Sequence, residues 1–94
     1  MRVEYHSDAA DQFDSYELTD RLLCEAFDEV IELLENDPNN SRLRRHQIRP
    51  VLAYAVQVFP KGRGGDPRSW WLFWIPEDDD VAFVKYAGPG DFHF

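Results

Sequence analysis

At 94 residues the chain has room for one domain, since a core of this size cannot be divided and still outweigh chain entropy. An apolar fraction of 44% and an aromatic fraction of 15% suffice for a packed core, which excludes disorder as the state of the whole chain. The net charge of −8 is unevenly placed: residues 1–40 hold twelve acids and two bases (−10), residues 41–76 seven bases and one acid (+6), and residues 77–94 five acids and one base (−4). Cys24 is the single cysteine, which rules out an intramolecular disulfide and a cysteine-based zinc site. The opening MRVEYHSDAADQFD lacks the basic-then-apolar layout of a secretory leader, and no apolar run approaches membrane-spanning length; a cytoplasmic protein is expected.

In chain order, Arg2–Tyr5 alternates polar and apolar residues as a short strand does. Ser7 is the expected helix N-cap, with Asp8 in the first turn and a short helix through about Asp14. Thr19 or Asp20 caps the next helix, which runs to about Glu35. Its Leu23, Ala26, Phe27, Val30, Ile31 and Leu34 recur at three- and four-residue spacing and share one face. Asp37-Pro38 ends it, because the proline disfavours helical geometry at the residue before it.

The period then changes. Arg42–Arg49 reads as a short edge strand or an extended connector. Val51–Phe59 reads as a strand with Leu52, Tyr54, Val56 and Val58 on one face and Ala53, Ala55 and Gln57 on the other. A glycine-rich loop, residues 60–67, leads to Ser69–Ile75, apolar on both faces as a central strand is. Alternation puts Trp70 and Trp74 on one face of that strand and Trp71 with Phe73 on the other, without saying which face is buried. Pro76–Asp80 is the expected turn, Val81–Ala87 the last strand, and Gly88-Pro89-Gly90 its breaker. The architecture expected is α+β: an N-terminal strand and two helices packed on an antiparallel meander, in the order β-α-α-β-β-β, as one domain over residues 1–94.

Chemistry-bearing residues concentrate in the basic stretch. Arg42, Arg44, Arg45, His46 and Arg49 form a cluster suited to RNA or to an acidic protein segment, the alternative being a solvated edge. Lys61, Arg63 and Arg68 flank the glycine-rich loop. That loop lacks the spacing of a phosphate loop and precedes a strand, so its bases are read as mobile phosphate contacts. His6, His46 and His93 show no metal-pair spacing, and neither a metal nor any other cofactor is expected. His93, just after the last strand, has a side chain that titrates near neutrality and suits acid–base work.

The helix ending in Asp37-Pro38, the basic connector SRLRRHQIRP, the strand AYAVQVF, the aromatic strand WWLFWI and the final strand VAFVKYAG together resemble the RelE/ParE superfamily of bacterial type II toxin–antitoxin toxins. The resemblance covers nearly the whole chain and rests on pattern and spacing rather than on one motif. It implies a RelE/ParE-like fold, a cognate antitoxin as partner, and a target that differs within the superfamily: many RelE-like members cut messenger RNA on the ribosome without metal, an mRNA interferase activity, whereas ParE-like members target gyrase. His93, Lys85 and Arg68 would then serve catalysis. Arg42, Arg44, Arg45, His46, Arg49, Gln57, Lys61 and Arg63 would bind RNA or a partner. Where the family often carries arginine, this chain has Ala55, Gln57 and Trp71. Its acidic balance also departs from RNA-cleaving members, which neutralise phosphate with basic surfaces. The alternative expectation is a catalytically silent module on the same fold that docks a partner protein.

Overall fold

The computed structural model describes residues 1–49, 52–62 and 68–92. The elements are β1 (Arg2–Tyr5), α1 (Ser7–Thr19), α2 (Arg21–Asn36), a 3-10 turn (Ser41–Arg44), β2 (His46–Ile48), β3 (Ala53–Val58), β4 (Trp70–Asp78) and β5 (Val81–Pro89). The five strands form one sheet in the order β1-β5-β4-β3-β2. Strands β3 to β5 form the expected antiparallel meander, β2 adds a fourth antiparallel strand at its edge, and β1 joins at the far edge, parallel to β5. The sheet is therefore mixed, and the basic connector divides into a 3-10 turn and a true edge strand.

Helix α2 forms where the apolar period placed it. Leu23, Ala26, Phe27, Val30, Ile31 and Leu34 are its buried residues, and burying each of the larger ones stabilises by roughly 1.5–3 kcal/mol. Asp20 caps it by accepting a hydrogen bond from Leu23 N–H at 3.3 Å. Asp20 also closes α1, its own N–H donating to the Tyr16 carbonyl at 2.8 Å. One residue thus joins two helices.

Helix α1 departs from expectation at both ends. His6, not Ser7, is the N-cap, its Nδ1 accepting from Asp8 N–H at 3.2 Å. The helix continues past Asp14 to Thr19 because Phe13 and Tyr16 dock on Phe27, with ring centroids 5.6 and 5.7 Å apart. The sequence of α1 has little amphipathic order of its own, and tertiary contact extends it.

Three further boundaries move. Leu52 lies in a turn and is exposed, so the core face of β3 begins at Tyr54. Strand β4 runs through Pro76 to Asp78, with a register shift beside Glu77 where the missing proline N–H is tolerated, and the turn is confined to Asp79 and Asp80. Strand β5 runs through Gly88 and Pro89, which pair with Trp71 and Trp70. Gly88 suits this position because a Cβ there would lie 2.8 Å from the Tyr86 hydroxyl.

The core fills the space between the helices and one sheet face. Trp70, Leu72 and Trp74 of β4 point into it, with Val56 and Val58 of β3 and Ala82, Val84 and Ala87 of β5. Trp74 is fully buried, and its Nε1–H donates to the Leu43 carbonyl at 3.0 Å, tying the 3-10 turn to the sheet. Among the described residues no helix is long and apolar enough to cross a membrane.

Candidate functional face of the sheet

With both helices on one side, the other side of the sheet is where alternate strand residues meet the surface. Strand registry lines up His46 of β2, Ala55 of β3, Phe73 of β4 and Tyr86 of β5 across four strands. The next row holds Gln57, Trp71 and Gly88. Between Phe73 and Trp74 the register shifts by one residue, so Lys85 is the extra residue of a bulge in β5. Bulges re-aim side chains, and here Lys85 is exposed with its Nζ 5.3 Å from the Phe83 ring centroid.

Rings fill the centre of this face. Phe92, beyond the end of β5, folds back to sit 4.9 Å from Phe73 and 6.0 Å from Trp71. Tyr86 lies 5.3 Å from Phe73, and His46 meets Trp71 edge to face at 5.9 Å. Ala55 and the indole of Trp71 are consequently buried, and Trp71 Nε1–H donates to the Gly90 carbonyl at 3.1 Å. Trp70 and Trp74 are the tryptophans of the helix-side core, while Trp71 and Phe73 belong to this second cluster. Burial raises the Tyr86 hydroxyl above the ordinary phenol value, which keeps it a donor, and it donates to the Pro89 carbonyl.

The basic connector takes up positions with unlike roles. Arg42 Nη2 donates to the Gln57 carbonyl at 3.2 Å. Arg44 Nε donates to the Pro38 carbonyl at 3.2 Å, and its guanidinium lies 5.4 Å from Tyr54 and 5.2 Å from Trp74. Both therefore fasten the connector to β3 and β4. Arg45 and Arg49 flank β2 and are exposed. Lys61 is exposed in the turn after β3, where with Phe59 it borders a shallow cleft against Leu22 and Ala26 of α2.

Arg68 stacks over Trp70 at 4.8 Å, at the start of β4 and on a ring of the helix-side core. Lys85 lies on the helix-free face, about six residues away along the strands, or roughly 15–20 Å. The two are not brought together at one point. His93 and Arg63 lie outside the described residues. The face thus combines a row of aromatic rings with Lys85 on one flank and His46 and Gln57 on the other. It can stack planar groups and hold them by a few hydrogen bonds and one cation. Alternation in SWWLFWI put Trp71 and Phe73 on one face without saying which; Tyr86 and Phe92 carried no such signal, since a bulge sets one and a chain reversal the other.

No protein-family model matches the chain, and no curated protein does. Among solved structures, the chain is similar to the YoeB dimer from Staphylococcus aureus, with a TM-score of 0.64 and 9% sequence identity. That likeness spans 100% of this chain and 98% of the other. At such identity it is the fold alone that is shared, the expected α+β arrangement of two helices packed on one face of a sheet, here mixed and five-stranded.

Proposed function

We propose that this chain is the toxin component of a bacterial type II toxin–antitoxin pair, held in check by a cognate antitoxin, with the helix-free face of the sheet as its working surface. The observation that supports this is the fold likeness to YoeB over the full length of both chains. On this reading the target is messenger RNA on the ribosome, and cleavage is metal-independent. An attacking 2′-hydroxyl needs a proton acceptor, the leaving oxygen a donor, and the phosphate a cation, all within hydrogen-bond reach. His93 is assigned the acid–base role and Lys85 the phosphate cation. Arg68 binds RNA away from the cut, with Arg45, Arg49, Lys61 and Arg63 as further phosphate contacts and His46 and Gln57 against the bases.

A second reading is favoured by one feature. Rings occupy the middle of the face, with Phe92 over Trp71 and Phe73, and aromatic centres ringed by polar groups are characteristic of protein interfaces. On that reading the chain is a catalytically silent module that docks a partner protein there. Induced expression without antitoxin separates the two. A toxin arrests growth, cuts messenger RNA on translating ribosomes, and loses both effects in His93→Ala and Lys85→Ala. Soluble protein with normal growth and intact message sinks the toxin reading.

A further inference from the structure

On the helix side of the molecule, α1 and α2 leave a groove of about 660 Å3 between them, running beside Tyr5 of β1. Its lining spans Ala10 to Glu17 on α1 and Arg21 to Asp28 on α2. That is two turns of each helix, a trough about 10 Å long. The floor is aromatic: Tyr5 packs edge to face on Phe13 at 5.5 Å, and Phe13 on Phe27 at 5.6 Å. Phe27 is fully buried, so the floor is fastened to the core, while Tyr5 remains 41% exposed and open to a ligand.

The walls carry Asp14 and Glu17 from α1 and Glu25 and Asp28 from α2. Arg21 is the one cation in the lining, and it already bridges Glu25 at 3.5 Å. Partial burial pushes the Asp28 carboxyl above its ordinary range, and the charges of Glu32, Glu17 and Glu25 push it the same way. Burial and the charges of Glu35 and Asp28 likewise raise the Tyr5 hydroxyl. The groove is thus apolar below and under-compensated in negative charge above. Those two properties together select a long aliphatic chain ending in a cation, whose stem lies on rings while its head reaches carboxylates.

We propose that this groove docks an arginine- or lysine-bearing segment of a partner protein, the side-chain stems lying on Tyr5 and Phe13 and the cationic heads meeting Asp14, Glu17, Glu25 and Asp28. Nucleic acid is repelled by the same charges. The groove opens on the side opposite the aromatic sheet face, so its occupancy does not depend on whether that face cuts RNA, and a failed growth assay leaves it untouched.

The test uses the full chain and a fluorescein-labelled peptide of alternating arginine and leucine, read by fluorescence anisotropy at low salt. Asp14→Asn/Glu17→Gln/Glu25→Gln is expected to weaken binding by at least about tenfold, and Tyr5→Ala to weaken it with every charge kept. The control Glu77→Gln/Asp79→Asn/Asp80→Asn removes three charges from the β4–β5 turn and is expected to change affinity less than about twofold. Circular dichroism confirms that each variant folds. Equal loss in both triple variants shows general charge attraction and overturns the proposal. So does displacement of the peptide by spermidine at comparable concentration, which would identify a polyamine site, or failure of the wild-type chain to bind at all.

Discussion

Arg44 illustrates how a charged residue becomes a packing residue. Its guanidinium lies over Tyr54 and Trp74 and its Nε donates to the Pro38 carbonyl. A planar donor over rings is something lysine does not reproduce. Arg44→Ala is expected to cost about 1–2 kcal/mol of stability, and Arg44→Lys to recover little of it, both read from urea midpoints. Asp28 is the opposite case, a charge that opposes folding. Its carboxyl titrates above the ordinary 3.8 in the folded chain, through partial burial first and then Glu32, Glu17 and Glu25. A raised carboxyl contributes stability that is present in full below the ordinary value and is lost as pH rises through the raised one. Asp28→Asn should therefore have a higher urea midpoint than the parent chain at neutral pH, and the gap should close as pH falls into the ordinary carboxylate range. The Cys24 thiol, raised by burial and then by Asp28, lies 4.0 Å from the Asp28 carboxylate. The same substitution should speed alkylation of Cys24 at mildly alkaline pH, because the thiolate is the reactive form.

At the scale of elements, the junction of α1 with β5 adds to the contacts with Phe27 that hold α1 in place. Pairing with β1 ends at Val84, so the rest of β5 presents an open edge on that side. Side chains of α1 close it: Gln12 Oε1 accepts from Ala87 N–H at 3.0 Å, and the Tyr16 hydroxyl donates to the Ala87 carbonyl at 3.1 Å. Gln12→Leu leaves a backbone donor unsatisfied and is expected to cost about 1–3 kcal/mol. Tyr16→Phe removes one bond and should cost about 0.5–1.5 kcal/mol. Amide exchange at Ala87 should quicken in both, and a double-mutant cycle should show them coupled, since they grip one residue. This junction also marks the limit of what the sequence conveys. Helix α2 was legible because six apolar residues repeat at its period, and the faces of β4 because alternation is local. The α1–β5 junction and the parallel pairing of β1 with β5 depend on contacts some seventy residues apart along the chain, and the bulge at Lys85 on where β4 and β5 change register, none of which the local residue pattern contains. The candidate site was legible in the same proportion. The bases were visible in the sequence, but only the folded chain reveals that Arg42 and Arg44 are engaged by the scaffold and that Lys85 and Arg68 are far apart.

For the whole molecule the question is which electrostatic effect dominates. The first forty residues carry −10 and the chain −8. Against this repulsion, Arg2–Glu4 at 2.9 Å and Arg21–Glu25 at 3.5 Å are exposed pairs of the kind that contribute little. His6–Asp8 at 3.8 Å adds an attraction only when the imidazole is protonated. Repulsion among the helical acids therefore outweighs attraction at neutral pH, and screening should favour the folded state. Raising sodium chloride from about 20 to about 300 mM, which shortens the screening length from roughly 20 to roughly 6 Å, is expected to raise the urea midpoint. The rise should be smaller in Asp14→Asn/Glu17→Gln/Glu25→Gln, which relieves part of the repulsion in advance. A midpoint that falls with salt would mean that attraction between the acidic helices and the basic stretch at residues 41–76 governs stability instead. The folded chain would then hold its two charged halves together, rather than keep the acidic one available to a basic partner.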